Sequence, residues 1–304
     1  MVQAMSLAQL AFVGFLNLLA KASSYQLHPN TIPQFGRSSS FKHIDQKTIG
    51  AVKDEPERLR YYTIYQASTP PKSGYTGSMA TMDIYSFPNM KNNEATGAVI
   101  WISNGNGDDP ADINDIQAGW TVDPNIYGDT NIHFFVYWTA DGYRSTGCFD
   151  LNCDGFVPVN IAHITPGDTL DPAGGPITVK IFKSKDDGDW WVYFGRDMNN
   201  LNPVGFWPKS IFTTLVDRAN HVTWGGYAIG LRGSPSPPMG DGRWPGTGSA
   251  TVQNIQLVDT DGQGYSEPVW PVALDVFTSN TKCYQASPFA NNMFYYGGPG
   301  GCTK

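Results

Sequence analysis

The sequence predicts an all-β protein: an antiparallel β-sandwich of two curved sheets with one short helix. Three observations point there. The 304 residues include 33 Gly and 22 Pro, whereas Glu, a strong helix former, occurs only at positions 55, 57, 94 and 267. Short runs of β-branched and aromatic residues recur, each bounded by Gly, Pro, Asn or Asp, as strands joined by tight turns require. One stretch alone, after Pro208, carries helical spacing.

Residues 1–22 read as a secretory signal. Leu7 to Ala20 is largely apolar, and Ala20-Lys21-Ala22 offers a small-x-small cleavage site. The apolar run is too short for a membrane anchor and is interrupted by Gln9 and Asn17. The mature form is therefore expected to be secreted, outside the cell or in the cell wall or vacuole, and free of the membrane. Residues 23–73 read as a pro-segment-like or disordered region, polar over 23–60, and the sandwich is expected over 74–304. Within the leading region, Tyr61 to Gln66 is nevertheless a β-prone run, broken by Thr69-Pro70-Pro71-Lys72-Ser73-Gly74.

From Tyr75 onward the strand signals follow one another. Met79, Thr81, Asp83 and Tyr85 alternate with Ala80, Met82 and Ile84. Ala98-Val99-Ile100-Trp101-Ile102 reads as a buried strand closed by the turn Asn104-Gly105-Asn106-Gly107. Ile132, Phe134, Val136 and Trp138 fall on one strand face, and His133, Phe135 and Tyr137 on the other. Both faces are apolar, so one packs on a second sheet and the other is covered or lines a groove. Ile177 to Phe182 and Asp189 to Gly195 read as a hairpin turning at Asp186-Asp187-Gly188. Pro208 opens the expected helix, with Ile211, Phe212, Leu215, Val216 and Ala219 as its apolar stripe. His221 to Ile229 is a strand containing Gly225-Gly226, residues 230–249 a Gly/Pro/Ser-rich loop, and Ala250 to Val258 and Val269 to Val276 are further strands. Pro268 and Pro271 place the last one at an edge.

The formal charge of −7 is spread without a basic stripe, which argues against nucleic acid as a partner. The Cys spacing lacks a CxxC pair and the five His show no ligand spacing, so no metal or other cofactor is expected. Four Cys permit three pairings; proximity in sequence favours Cys148 with Cys153 and Cys283 with Cys302.

The stretch Gln117-Ala118-Gly119-Trp120, with Val122, Pro124, Tyr127-Gly128-Asp129, Tyr137-Trp138-Thr139, Asp141-Gly142-Tyr143, Thr146-Gly147-Cys148 and Cys153-Asp154-Gly155-Phe156-Val157, resembles the plant neprosin family. Gly188-Asp189-Trp190-Trp191, Val204-Gly205-Phe206-Trp207-Pro208, Trp224-Gly225-Gly226, Pro237-Pro238-Met239-Gly240 and Tyr296-Gly297-Gly298-Pro299-Gly300-Gly301-Cys302 continue the resemblance over roughly residues 75–304. It implies a two-sheet sandwich with a cleft on its concave side, the same two disulfides, and a secreted glutamic peptidase that cleaves after proline. Such an enzyme uses two Glu across the cleft: one ionised to deprotonate water, its partner binding the oxyanion.

Here the position before Ala-Gly-Trp is Gln117, and the position after Trp-Gly-Gly is Tyr227. Gln117 keeps an amide that can donate to an oxyanion. Tyr227 cannot serve as a base at acid pH, because an unperturbed phenol ionises near pH 10. No Glu occurs between Ala95 and Ser266. The expectation is a catalytically impaired member that keeps a peptide- or glycan-binding cleft. The alternative is an active acid peptidase using Asp115, two residues before Gln117, or Asp241. Trp120, Tyr137, Trp138, Trp191 and Trp224 are candidate cleft aromatics for a proline-containing peptide or a cell-wall polymer, although with nine Trp more than half are expected in the core.

Overall fold

A computed structural model describes residues 57–68, 74–105, 109–265 and 274–303. The proposed signal, Asn106, Gly107, Pro268 and Pro271 lie outside these residues. The described chain forms two antiparallel sheets. The seven-stranded sheet contains β1 (Arg58–Ser68), β3 (Ala95–Asn104), β4 (Asn114–Val122), β5 (His133–Thr139), β6 (Cys148–Phe149), β11 (His221–Leu231) and β14 (Leu274–Thr278), in the order β14-β1-β11-β3-β4-β5-β6. The nine-stranded sheet contains β2 (Gly77–Met82), β7 (Val157–Pro158), β8 (Ile177–Lys183), β9 (Trp190–Gly195), β10 (Asn202–Trp207), β12 (Thr251–Val258), β15 (Gln285–Ala286) and β16 (Phe294–Gly297), in the order β15-β16-β12-β2-β8-β9-β10-β7. Its remaining strand, β13 (Gly264–Tyr265), pairs with β12.

The main core lies between the sheets. Ile116, Ala118, Trp120 and Val122 of β4 face it, as do Phe134, Val136 and Trp138 of β5, Val222, Trp224 and Ala228 of β11, and Trp190 and Val192 of β9. A strand alternates faces with period two, so the intervening residues of the seven-stranded sheet point the other way. There Tyr62, Ile64, Val99, Trp101, Phe135, Tyr137 and Tyr227 pack as a second apolar layer. The two-faced reading of β5 therefore holds. Truncating a fully buried ring such as Trp120 leaves a void that costs roughly 3–5 kcal/mol.

Two expectations need correction. Strand β1, which falls inside the region assigned to a pro-segment, sits between β11 and β14 and pairs with β11 along eleven registered residues. The sandwich thus includes Arg58–Ser68, ahead of the expected start at residue 74. The apolar alternation of Leu59, Tyr61, Thr63 and Tyr65 with Arg60, Tyr62 and Ile64 was the signal.

The helix expected after Pro208 is absent. Only Lys209–Ile211 forms a 3-10 turn, and irregular chain follows. Asn114 supplies the reason. Its side-chain Oδ1 accepts from the backbone N–H groups of Thr213, Thr214 and Leu215 at 2.7, 2.8 and 3.2 Å. Those donors are satisfied without a helix. Phe212, Leu215 and Ala219 are buried all the same. Among the described residues the one α-helix is α1 (Pro124–Tyr127), with Asp123 as its N-cap, accepting from the Asn125 N–H, and Gly128 closing it in the left-handed conformation at φ 78°.

The hairpin of β8 and β9 pairs as expected, Phe182 facing Trp191. Among the described residues, strand β14 ends its sheet, as expected of an edge strand. Cys148 is bonded to Cys153 and Cys283 to Cys302. The second bridge sits beside a stitch in which the Ser236 N–H donates to the Cys302 carbonyl at 2.8 Å and the Cys302 N–H to Ser236 Oγ at 3.0 Å.

Candidate functional site

Gln117 and Asp115 both point to the outer face of the seven-stranded sheet, being two residues apart on β4. Gln117 is paired in register with Trp101 of β3 and Tyr137 of β5, and it is 1% exposed. Its amide Nε2 donates to the Tyr143 hydroxyl at 3.2 Å. Tyr143 reaches this position from a left-handed turn at φ 67°, and its ring stacks on Tyr137 at 5.8 Å.

Asp115 is 1% exposed. Neither carboxyl oxygen has a hydrogen bond of ordinary geometry among the described residues. Burial raises its pKa to about 7, with Gln117 and Tyr143 close enough to pull it part of the way back. Arg60 of β1 is half-buried near the same tyrosines, and desolvation lowers its pKa against the influence of Tyr62, Tyr143 and Tyr137. Tyr62 is pushed up to about 12, mainly by burial.

Tyr227 lies elsewhere on the same face. It is in register with Gly97 of β3, which is in register with Thr121 of β4. Its hydroxyl donates to Thr121 Oγ1 at 2.7 Å. The ring crosses directly over Gly97, where a Cβ would come within 3.0 Å of two ring carbons. Gln117 lies four residues before Thr121 on β4, and β11 is two strands from β4. Strand geometry separates the Gln117 and Tyr227 backbones by roughly 15 Å. The two side chains have no hydrogen-bond partner in common, so the structure does not bring the sequence-derived pair together.

Around Tyr227 the charges are also buried. Asp123 lies 3.5 Å from Arg58, and its pKa is raised to about 6 by burial, which Arg58 partly offsets. Asp150 accepts from the Tyr127 hydroxyl at 2.8 Å and from the Val136 N–H at 3.0 Å, yet burial still raises it to about 7. Tyr127 stacks on His133 at 3.9 Å. This polar layer was not assigned from the sequence. In the sequence, Tyr127 and Tyr143 stand out only through the motifs of the family resemblance, and the polar leading region masks Arg58 and Arg60.

The other candidates separate. Asp241 is held by Arg243, whose backbone N–H donates to Oδ1 at 3.0 Å and whose Nε donates to Oδ2 at 2.6 Å. It neighbours Tyr85 and Tyr296 rather than Gln117. Of the five aromatics, only Tyr137 shares the Gln117 face. Trp120, Trp138 and Trp224 belong to the core between the sheets, and Trp224 Nε1 donates to Ser78 Oγ at 2.8 Å. Trp191 lies on the outer face of the other sheet. Parity is the cause. Gln117 and Trp120 are three residues apart on one strand, as are Trp224 and Tyr227 on another, and an odd separation puts them on opposite faces. Among the described residues no three His, Cys, Asp or Glu side chains converge as a metal site, and no helix is long and apolar enough to cross a membrane.

Fold and site thus define an antiparallel two-sheet sandwich with an amide and a buried carboxyl on one sheet face. The chain belongs to the Neprosin family, whose profile matches residues 92–299. Solved structures with a similar chain trace include scytalido-glutamic peptidase with a peptide-based transition-state analogue, at a TM-score of 0.38 and 11% identity over 80% of this chain and 99% of that one. Another is SCP-B, a member of the eqolisin family of peptidases in complex with the tripeptide Ala-Ile-His, at a TM-score of 0.36 and 11% identity over the same shares.

Proposed function

We propose that this neprosin-family chain is a secreted protein whose peptidase centre has become a packed polar layer, and that it acts by binding rather than by hydrolysis. The observation that carries the reading is the placement of Tyr227. Its hydroxyl is committed to Thr121 across Gly97, away from Gln117. Peptide hydrolysis needs an ionised base and an oxyanion donor on the same scissile bond. Gln117 can serve as the donor but has no ionised partner at acid pH. The partner bound is a proline-containing peptide or a cell-wall polymer, in keeping with the family resemblance. The two disulfides suit an oxidising compartment, as secretion requires.

A second reading has one specific observation in its favour: Asp115 sits beside Gln117. As a base it must be ionised, and burial holds its pKa at about 7. An enzyme built on it would gain activity towards neutral and alkaline pH and would be silent in acid. Incubation with a proline-containing fluorogenic peptide from about pH 3 to pH 9 separates the two readings. Binding without hydrolysis predicts no turnover at any pH. Turnover that rises near pH 7 and is lost in both Gln117→Ala and Asp115→Asn would overturn it.

A further inference from the structure

The outer face of the nine-stranded sheet, on the far side of the sandwich from Gln117, carries a row of side chains that the site above does not use. Val157 of β7, Phe206 of β10, Trp191 of β9 and Phe182 of β8 follow one another in register across four strands. The rings of Trp191 and Phe206 lie 4.9 Å apart at 33°, and those of Trp191 and Tyr193 lie 6.4 Å apart. Phe182 and Tyr193 are 5.6 Å apart. Phe206, Trp191 and Tyr193 are half-buried, Val157 is 39% exposed, and Phe182 is buried beneath Tyr193 and Lys180. Trp191 is fixed by its Nε1, which donates to Asp187 Oδ2 at 3.0 Å, so its ring plane is held in place.

One cation sits among these rings. Lys180 Nζ lies 5.2 Å from the centre of Phe182 and 4.8 Å from that of Tyr193, and it donates to the Gly262 carbonyl at 3.1 Å. An ammonium has three donors, so two remain. On strands β2, β7, β8, β9 and β10 this face carries Lys180 and no carboxylate, in a chain of net charge −7, while Lys183 points the other way over Trp190. Two bordering carboxylates are held by local donors: Asp187 accepts from Trp191 and the Asp189 N–H, and Asp259, whose charge acts on Lys180, accepts from the Asp261 and Gln263 N–H groups.

We propose that this face binds an extended, β-linked glycan bearing carboxylates. The exposed parts of Phe206, Trp191 and Tyr193 would pack on the apolar C–H faces of successive sugars, and Lys180 would meet a carboxylate. A proline-rich peptide is a poorer match, because it seats its rings in grooves between aromatic ridges rather than on a continuous row. The proposal is independent of the reading of the Gln117 face, since it uses the other sheet.

Affinity electrophoresis through native gels containing carboxymethylcellulose or hydroxyethylcellulose tests it, because the two polymers share a backbone and differ in charge. The expected result is retardation in the carboxymethylcellulose gel, weaker retardation in the neutral gel, and roughly tenfold weaker binding to the charged polymer in both Trp191→Ala and Lys180→Met. Phe206→Ser is a third variant, and near-ultraviolet circular dichroism checks that each is folded. No retardation of the native protein, equal retardation by the two polymers, or retardation unchanged in the folded variants would overturn the proposal. Hydrolysis of the fluorogenic peptide is read separately, so failure of either idea leaves the other standing.

Discussion

The Tyr227 hydroxyl donates to Thr121 Oγ1 at 2.7 Å across the bare backbone of Gly97. That contact ties β11 to β4 over the intervening β3. It explains why a Tyr fits at a position where the family resemblance implies a Glu. The phenol is long enough to span a strand and meets a hydroxyl there. Burial drives its pKa upward, so it stays neutral at any physiological pH.

Tyr227→Phe removes that hydrogen bond and leaves Thr121 Oγ1 with only its donation to the Thr96 carbonyl at 3.3 Å. The expected cost is about 1 kcal/mol in urea denaturation, with binding unchanged. Tyr227→Glu places a carboxyl beside Asp123 in the same dry layer. It is expected to cost more than Tyr227→Phe, and increasingly so above neutral pH.

Gly97→Ala tests the same contact from the other side. Its Cβ would lie 2.3 Å from the Trp120 carbonyl and 3.0 Å from the Tyr227 ring, so the sheet must shift. A loss of roughly 1–3 kcal/mol is expected, the range for overpacking a filled site, and thermal unfolding would measure it.

Stability should rise as the solution is made mildly acidic. Asp115, Asp123 and Asp150 have folded pKa values of about 7, 6 and 7, raised by burial above the unfolded value near 3.8. A carboxyl with a raised folded pKa favours the folded state fully below its unfolded pKa. That advantage disappears as pH rises through the folded pKa. The gain therefore accrues between about pH 7 and pH 4, and the unfolding temperature should climb by several degrees over that span. In Asp115→Asn the slope should be visibly shallower. A flat profile in the native protein would refute the assignment of buried, neutral carboxyls. At lower pH the opposite sign takes over at Asp141. Burial raises its pKa, but hydrogen bonds from Ser145 and Thr146 outweigh that and hold it at about 2.

Asn114→Ala should be among the more damaging single changes. The side chain is fully buried and accepts from three backbone N–H groups, while its Nδ2 donates to the Ala140 carbonyl at 2.9 Å. Losing it strands several polar groups at about 1–3 kcal/mol each, so a loss of at least 3 kcal/mol is expected by chemical denaturation.

Replacing both Cys283 and Cys302 by Ser opens a loop with a sequence separation of 19. Loop-closure entropy assigns the bridge about 3 kcal/mol. The Ser236 stitch remains, so the tail should stay docked in cool solution and release on mild heating, which hydrogen exchange at Cys302 and Gly301 would follow.

Much of this architecture was legible in the chain itself. Alternation of side chains along a strand is a local property, so β5, the β8–β9 hairpin and the nearby Cys pairs could be read directly. The same rule sorts the candidate residues by face. An odd separation from Gln117 or Tyr227 already excludes Trp120 and Trp224 from their face, whereas Asp115, at an even separation, belongs there.

The sequence by itself determined the strands, the turns, the family and the face on which Asp115 and Gln117 stand. Tertiary structure decided which residues share a rung. Tyr227 and Thr121 are 106 positions apart in sequence, and only the registers of β11 on β3 and β3 on β4 put them in contact. It also decided that Asn114 would take the backbone donors of residues 213–215 and cancel a helix that periodicity favoured. Both outcomes depend on pairing between distant segments, and that pairing is set by how the whole core closes. Local propensity carries no record of it.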